Sequence, residues 1–356
     1  MKSPSRRTLA YPAIVPPHIL ENIARFGTPS QRHRASQTLT HDASLRATRA
    51  GALVVHPSVV SEPVVSRVAG RPERTIYDAG HTDRLPGVIV RTERGHSTSD
   101  PEVEEAFSGL GATYDFYWKV FERDSIDGRG LPLLAVVHYQ SDYDNAFWDG
   151  TQMIFGDGDG RLFNRFTSSL DIIGHELTHG VTEVEASLLY KAQSGALNES
   201  ISDLFGSLVK QFALGQSASE ADWLIGTGAF TKNVNARAIR SMAAPGTAYD
   251  DPVIGKDPQP ADMSGYVRTA KDNGGVHINS GIPNRAFYET AINIGGFAWE
   301  RSGRIWYEAL LSSRLRPGTK FKGFASITAQ TARLLFGKGR EEQAVVQAWS
   351  KVGISI

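Results

Sequence analysis

A pattern of two histidines around a glutamate constrains this chain of 356 residues more than any other feature. His175 and His179 are four positions apart, so a helix over residues 171–180 would place both imidazoles on one face, where they can bind the same metal ion. Glu176 would stand beside them as the proton acceptor for a water molecule that the metal activates. The pattern therefore predicts a helix that carries a metal site.

A second acidic pattern supplies what the two histidines lack. Catalytic zinc takes three protein ligands and keeps one position open, so a third ligand is required. Glu199 follows twenty positions after His179 (199 − 179), in a segment predicted to form a second helix. Asp203 lies one turn further on, where it can orient a ligating histidine. We predict that one zinc ion is bound by His175, His179 and Glu199.

Composition excludes several classes of function. Hydrophobic residues make up 40%, charged residues 21% and the formal net charge is zero, which argues against nucleic acid or a membrane as partner. The absence of cysteine excludes disulfides and thiolate metal sites. Pro12 interrupts the apolar stretch behind the basic N-terminus, so we see no signal peptide. We expect a monomer whose precursor stays in the cytoplasm or is secreted by a non-standard route.

Local composition and apolar patterning divide the chain into three parts. Residues 1–50 are rich in Pro, Ser, Arg and His, with a short helix expected only at 19–26, which favours a pro-segment over a functionless disordered tail. Residues 51–170 are expected to be β-rich, with one helix near 100–123 and apolar strand-like runs at 53–55, 59–60, 88–90 and 133–137. Residues 171–356 are expected to be mainly helical, including helices at 197–212, 283–294, 301–312 and 340–352.

These parts predict an α+β fold with two lobes. A β-rich N-terminal lobe would precede a mainly helical C-terminal lobe, and the metal-binding helix would lie between them. Residues 156–160 alternate Gly and Asp and suggest a calcium loop, but Arg161 occupies the place of the next oxygen ligand. We interpret that stretch as a tight turn.

Several polar residues outside the metal pattern could serve catalysis or substrate binding. Asp272 and His277 could form a carboxylate–imidazole couple that donates to an oxyanion, or a purely structural loop. Tyr190 could donate to the same oxygen or belong to the core. Arg240 could bind a substrate carbonyl or form a surface salt bridge. Asn145 begins a segment whose strand edge could pair with an extended peptide, or simply end a strand.

Taken together, these motifs resemble the thermolysin-like neutral zinc metalloproteases, most closely the protealysin-type branch with a short pro-segment. The resemblance extends from about residue 75 to the C-terminus, in the family's order, through residues 145–148, 156–160, 171–181, 195–205, 240–242 and 272–282. Residues 16–20 resemble the Pro-Pro-aromatic-Leu-Leu element of short pro-segments, with His18 and Ile19 as departures. We do not expect His18 to bind zinc.

The resemblance implies a zinc endopeptidase with a thermolysin-like fold, in which Glu176 is the general base. His277, oriented by Asp272, and Tyr190 would stabilise the oxyanion. The substrate backbone would be bound by Asn145, Ala146 and Arg240. An apolar pocket, favouring cleavage on the amino side of bulky apolar residues, would be lined by Phe163, Phe166, Ile172 and Ile239.

The resemblance also implies a precursor that is inhibited by its own pro-segment. We expect self-processing between residues 41 and 61, before an apolar residue such as Leu45 or Leu53. A catalytically silent peptide-binding protein on the same fold is the main alternative, and the retained Glu176 counts against it. A zinc hydrolase acting on non-peptide bonds is a further alternative, and Asn145 and Arg240 count against that.

Calcium is where the chain departs from the large secreted members of this family. The sequence keeps two carboxylates of their double calcium site, Asp171 and Asp222. The positions of further ligands are occupied by Lys210, Leu224 and Thr227, and Arg237 replaces an acidic ligand elsewhere. A lysine beside a cation that needs about six to eight oxygens is unfavourable. Calcium binding is therefore doubtful.

Overall fold

The computed structural model describes residues 13–51 and 68–356, so the strands expected at 53–55 and 59–60 lie outside the described residues. The helices are α1 Pro17–Phe26, α2 Pro29–Gly51, α3 Pro101–Phe121, α4 Leu170–Glu185, α5 Ala192–Leu214, α6 Asp272–Asn279, α7 Gly281–Ile294, α8 Ser302–Leu311, α9 Phe321–Phe336 and α10 Arg340–Lys351. The strands are β1 Arg74–Asp78, β2 Val88–Thr92, β3 Leu133–Val137, β4 Ala146–Trp148, β5 Met153–Phe155, β6 Leu224–Ile225, β7 Arg240–Ser241, β8 Asp250–Asp251 and β9 Gly255–Lys256.

One five-stranded sheet, in the order β2-β1-β3-β5-β4, forms the β-rich part of the molecule. The three inner strands β1, β3 and β5 are parallel, and the edge strands β2 and β4 run antiparallel to their neighbours. The central strand β3 is apolar along its whole length, as expected of a parallel strand covered on both faces. The parallel strands therefore end at the same edge of the sheet.

The metal-binding pattern lies on α4, which packs along α5. Two glycines allow the backbones to approach closely: a Cβ on Gly206 would lie 2.4 Å from the Asp171 carbonyl oxygen, and one on Gly174 would lie 3.1 Å from Gly206 Cα. The expected third ligand, Glu199, is thereby brought opposite the histidines of α4. The helix α5 begins at Ala192, five residues before the expected start at 197 (197 − 192).

The first described segment contains two helices where the sequence predicted one. The helix expected at 19–26 is α1, but the polar stretch that follows it is also helical and forms α2. Its buried face carries polar groups beside a few apolar ones such as Ala35: the Asp144 N–H donates to Thr38 Oγ1 at 3.1 Å, and the Tyr143 hydroxyl donates to Asp42 at 2.8 Å. Apolar periodicity could not reveal a helix that is docked by hydrogen bonds.

The remaining helices form the C-terminal lobe. Those expected at 283–294, 301–312 and 340–352 are α7, α8 and α10, whereas α9 was not predicted. The helix α9 packs in the core of this lobe, where the Trp349 indole of α10 donates to Thr328 Oγ1 at 3.0 Å and stacks on Trp306 of α8. Over the described ranges, no helix combines the length and apolar character needed to cross a bilayer.

Candidate metal centre and active site

The three expected metal ligands converge in the space between α4 and α5. His175 Nε2 lies 2.9 Å from His179 Nε2, and each of these nitrogens lies 3.6 Å from an oxygen of Glu199. A tetrahedral zinc ion with bonds of about 2.0–2.1 Å spaces its ligand atoms about 3.3 Å apart. Glu199 Oε2 is buried and has no hydrogen-bond partner among the described residues. This donor set fits a zinc ion.

The protonation states of the site suit metal binding. Burial lowers the pKa of His179 to about 3, against the opposing charge of Glu199, so the imidazole is neutral. Its Nδ1 donates to Asn198 Oδ1 at 2.8 Å, which leaves Nε2 free to bind a cation. Burial alone would raise the pKa of Glu199, but nearby histidines, with His277 foremost, hold it below its ordinary value. Glu199 is therefore a carboxylate.

Asp203 links the metal site to the substrate cleft. Its Oδ1 lies 2.8 Å from His175 Nδ1, and its carboxylate accepts from both Nε and Nη2 of Arg240 at 2.9 and 2.8 Å. Asn284 donates to the same carboxylate at 2.8 Å, a contact that the sequence did not reveal. Burial would raise the pKa of Asp203, yet Arg240 and His175 hold it well below its ordinary value. Arg240 is buried, so the surface salt bridge considered for it is not formed.

Glu176 occupies a position suited to proton transfer. One carboxylate oxygen accepts from the Trp148 backbone N–H at 3.1 Å, while the other is buried without a hydrogen-bond partner in the described part of the chain. Burial, followed by the nearby charge of Glu199, raises the pKa of Glu176 well above its ordinary value. A carboxylate with a raised pKa can accept a proton at neutral pH.

Tyr190 and His277 both lie close to the Glu199 carboxylate. The Tyr190 hydroxyl donates to Glu199 Oε1 and lies 3.3 Å from His277 Nε2. His277 Nδ1 lies 2.6 Å from Asp272 Oδ1, so the expected carboxylate–imidazole couple is formed. The loop expected before this histidine lies within the bounds of α6, where residues 273–275 have left-handed and not helical backbone, which folds Asp272 back onto the histidine. Burial lowers the pKa of His277, but Asp272 and Glu199 outweigh it and raise the value.

Residues 13–15 lie along the outer edge of β4 as an added antiparallel strand. Ala13 forms a bridge with Phe147, and the Ile14 N–H donates to the Ala146 carbonyl at 3.1 Å. Because β4 is the last strand of the sheet, its edge would otherwise lack a partner strand among the described residues. The sequence predicted that an extended peptide could pair at this edge.

Two further side chains bind the backbone of the same short segment. The Val15 N–H donates to Asn145 Oδ1 at 2.9 Å, and Asn145 Nδ2 donates back to the Val15 carbonyl at 3.3 Å. Arg240 Nη1 donates to the Ile14 carbonyl at 3.1 Å. The residues predicted to bind a substrate backbone thus bind the backbone of residues 14–15.

The expected pocket residues are buried in the main apolar core. These four residues are Phe163, Phe166, Ile172 and Ile239. They belong to the same apolar cluster as Ile14, Val15 and Leu20 of the N-terminal segment. Their contribution to specificity remains a prediction. His18 Nε2 lies 2.7 Å from the Tyr249 hydroxyl, and burial lowers its pKa to about 4.

Two descriptions of known protein families match successive parts of this chain. Residues 70–183 match the family described as "Thermolysin metallopeptidase, catalytic domain", and residues 186–354 match "Thermolysin metallopeptidase, alpha-helical domain". The chain belongs to the thermolysin metallopeptidase family. This membership confirms the predicted two-part fold, with a sheet-containing N-terminal region and a helical C-terminal region.

Relatives within this metallopeptidase family cover almost the whole chain. The "Extracellular metalloprotease" of Pectobacterium carotovorum subsp. carotovorum is 52% identical, over 97% of this chain and 96% of that protein. The "Protease PrtS" of a Photorhabdus species is 47% identical, over 97% and 93%. The structure of the precursor of protealysin, a metalloproteinase from Serratia proteamaculans, is similar with a TM-score of 0.88 and 49% identity, covering 97% and 100%.

These findings confirm a zinc-dependent metalloprotease made as a precursor. The family is zinc dependent, and the His175–His179–Glu199 group provides the corresponding site. Residues 13–51 match the family described as "Protealysin propeptide", which supports an inhibitory pro-segment. The relatives are named as proteases, so the catalytically silent alternative is not favoured.

The predicted localisation is wrong. The expectation of a precursor that stays in the cytoplasm or is secreted by a non-standard route rested on the lack of a recognisable signal peptide. Relatives at 52% and 42% identity are named "Extracellular metalloprotease" and "Extracellular minor metalloprotease", the second from Serratia marcescens, and these names point to secretion. Composition at the N-terminus was too weak a criterion for export.

Proposed function

We propose that this protein is a secreted zinc endopeptidase that cleaves peptide bonds on the amino side of bulky apolar residues. The observation that carries the proposal is the binding of residues 14–15 as an extended peptide by Ala146, Asn145 and Arg240. A peptide held by its backbone at a strand edge is a recognised mode of substrate binding. A zinc hydrolase for non-peptide substrates would have no use for such an edge.

The proposed mechanism assigns a step to each polar group. Zinc, bound by His175, His179 and Glu199, would supply a Lewis acid that polarises the scissile carbonyl and lowers the pKa of water. Glu176 takes a proton from the attacking water and delivers it to the leaving amine. The oxyanion that develops accepts hydrogen bonds from Tyr190 and His277, and Asp272 keeps the His277 ring oriented.

Asp203 and Arg240 are proposed to support these steps indirectly. The Asp203 carboxylate fixes the ring of His175 and so the direction of its metal-binding nitrogen. The same carboxylate holds the Arg240 guanidinium in the orientation that reaches a substrate carbonyl. Loss of the carboxylate would therefore disturb metal binding and substrate binding together.

We propose residues 1–50 as the pro-segment, 51–170 as the N-terminal catalytic lobe and 171–356 as the C-terminal lobe. Besides the backbone contacts of residues 14–15, the pro-segment is held by Arg34, which bonds to Asp144 at 2.5 Å and Asp142 at 2.8 Å. A tethered segment acts at high effective concentration, so modest contacts suffice to block the cleft. Self-processing is proposed between 41 and 61, a stretch only partly within the described residues.

One pair of proteins tests the proposal. After self-processing, the wild-type protein should hydrolyse casein, lose this activity in 1,10-phenanthroline and regain it with zinc, whereas Glu176→Ala should be inactive. N-terminal sequencing should find the wild type, but not Glu176→Ala, cut before an apolar residue. Identical cleavage of both pure proteins would contradict self-processing. Casein hydrolysis that persists without metal would contradict the proposed chemistry.

A further inference from the structure

A second group of metal-binding side chains lies where the three parallel strands end. His81 follows β1, His138 follows β3 directly and Asp157 follows β5, so the sheet brings them to one edge. The His81 N–H donates to the His138 carbonyl at 2.9 Å, which fixes the two histidines side by side. Ligand sites recur at the carboxyl ends of parallel strands because loops from neighbouring strands meet there.

The distances within this group suit coordination of one small cation. His138 Nδ1 lies 3.0 Å from one Asp157 oxygen, and His81 Nδ1 lies 3.2 Å from the other. Glu102, in the first turn of α3, contributes an oxygen 3.8 Å from His138 Nδ1. These separations bracket the spacing of about 3.3 Å expected between the ligands of a tetrahedral zinc ion.

One oxygen of the group lies where a cation or a proton would be favourable. Glu102 Oε2 is buried and has no hydrogen-bond partner within residues 13–51 and 68–356. A buried oxygen that accepts no hydrogen bond is costly, unless a cation compensates it. Burial and the neighbouring Asp157 carboxylate raise the pKa of Glu102 to about 8, so at neutral pH this carboxyl group holds a proton unless a cation binds there.

A carboxylate behind one histidine completes the arrangement. His138 Nε2 lies 2.8 Å from Asp100 Oδ2, on the side of the ring away from the group. A histidine that binds metal through one nitrogen usually donates from the other nitrogen to a carboxylate. That bond would leave His138 Nδ1 unprotonated and directed toward His81 and Asp157.

We propose that His81, His138 and Asp157, with Glu102 beside them, bind one divalent transition-metal ion of the zinc class, separately from the catalytic centre. Two imidazoles with carboxylates favour zinc over calcium, which prefers oxygen ligands alone. The turn at residues 156–160 is compatible with this role. Its Asp159 accepts the backbone N–H groups of residues 161–163, while Asp157 is directed to the histidines.

A rival explanation is a charged His138 held between carboxylates. Its bonds to Asp157 and Asp100 raise the pKa of His138 to about 10, so a proton competes with a metal ion for Nδ1. With a proton on Glu102 that is shared with Asp157, this arrangement would account for the acidic groups as well. The two explanations differ in one measurable quantity, the number of zinc ions bound to each chain.

Zinc stoichiometry of the full precursor tests the proposal. The parent protein carries Glu176→Ala to prevent self-digestion, is stripped with a chelator and is titrated with zinc chloride. We expect two zinc ions per chain in the parent and one after adding His81→Ala. The His81 side chain is 55% exposed, so its loss should leave the fold intact. The matched control is His96→Ala, at an exposed histidine of the same lobe, which should retain two.

Further variants separate this site from the catalytic one. Adding His179→Ala to the parent should leave one bound zinc ion. Adding Asp157→Asn should lower the affinity for the second zinc ion at least about tenfold. One zinc ion in the parent, or two after His81→Ala, would overturn the proposal while leaving the proposed catalytic centre untouched. Displacement of the second zinc ion by millimolar calcium would overturn its assignment to the zinc class.

Discussion

The Lys210 ammonium nitrogen lies 2.7 Å from Asp171 Oδ2, where the resemblance to larger family members would place calcium. It also lies 3.0 Å from Asp222 Oδ1 and donates to the Leu224 carbonyl at 2.8 Å. Burial lowers the pKa of Lys210, but the two carboxylates outweigh it and raise the value, so the amine stays charged. An internal ammonium group thus compensates the charge of both carboxylates.

Removal of this ammonium group should lower the stability of the protein without changing its catalytic activity. Lys210→Ala leaves the buried Asp171 carboxylate without its partner, which should cost about 3 kcal/mol in the free energy of unfolding. Urea unfolding measures the loss. The control is Lys256→Ala, at an exposed lysine 3.9 Å from Asp250, which should change stability by less than about 0.5 kcal/mol.

Calcium should have little effect on the wild type for the same reason. In millimolar calcium we expect the melting temperature to rise by less than about ten degrees, because a site with an ammonium group cannot provide the necessary oxygens. Differential scanning calorimetry with calcium and with a chelator measures the difference. A larger rise in the wild type would show that another calcium site exists.

Glu176→Gln should separate metal binding from catalysis. The amide keeps the shape of Glu176 and can still accept from the Trp148 N–H, but it cannot take a proton. We expect the rate of peptide hydrolysis to fall by about 10²–10⁴-fold, while one zinc ion remains at the catalytic centre. Activity assays with metal analysis of the same sample measure both. Loss of catalytic zinc would mean that Glu176 is a ligand and not the base.

Asp203→Asn should weaken zinc binding without removing a ligand. The substitution removes the negative charge beside His175 and Arg240, so we expect zinc affinity or activity to fall by about 10–100-fold. Competition with a chelator of known affinity measures the first quantity. Asp250→Asn, at an exposed aspartate, is the control. Equal zinc affinity and activity in both variants would reduce Asp203 to a structural residue.

Acidification should loosen the pro-segment through His18. Its pKa is lowered from 6.5 to about 4 when buried near Asp272, His277 and Arg240, so docking favours the neutral ring. Docking is therefore undiminished above pH 6.5 and weakens as the pH falls toward 4. Hydrogen exchange of residues 13–26 in the Glu176→Ala precursor, corrected for intrinsic rates, should show lost protection between pH 7.5 and 5.

The pH effect can be assigned with two further variants. His18→Phe removes the titrating ring and should keep its protection at pH 5. His33→Gln, at an exposed histidine of α2, should behave as the parent does. Because protonation of the metal site affects all three proteins alike, only the difference between them is diagnostic. Equal loss of protection in His18→Phe would exclude His18 as the cause.

The catalytic centre was predictable because most of its geometry is local. A spacing of four residues within a helix fixes His175 against His179, and the same periodicity relates Glu199 to Asp203. Some supporting contacts were not predictable, since Asn284 reaches Asp203 from a helix distant in sequence. Likewise α2 is docked in large part by buried hydrogen bonds and leaves only a weak apolar pattern to detect. Contacts that depend on tertiary placement have no signature in local spacing.

The edge of β4 that pairs with residues 13–15 in the precursor also determines which substrates the mature enzyme can bind. When the pro-segment is removed, that edge offers backbone groups to any chain that can lie extended beside it. The residues of a helix cannot do so, because their backbone groups are already bonded to one another. Under the proposed function, folded proteins are cut first at termini and loops, and the local unfolding of the target limits the rate of its digestion.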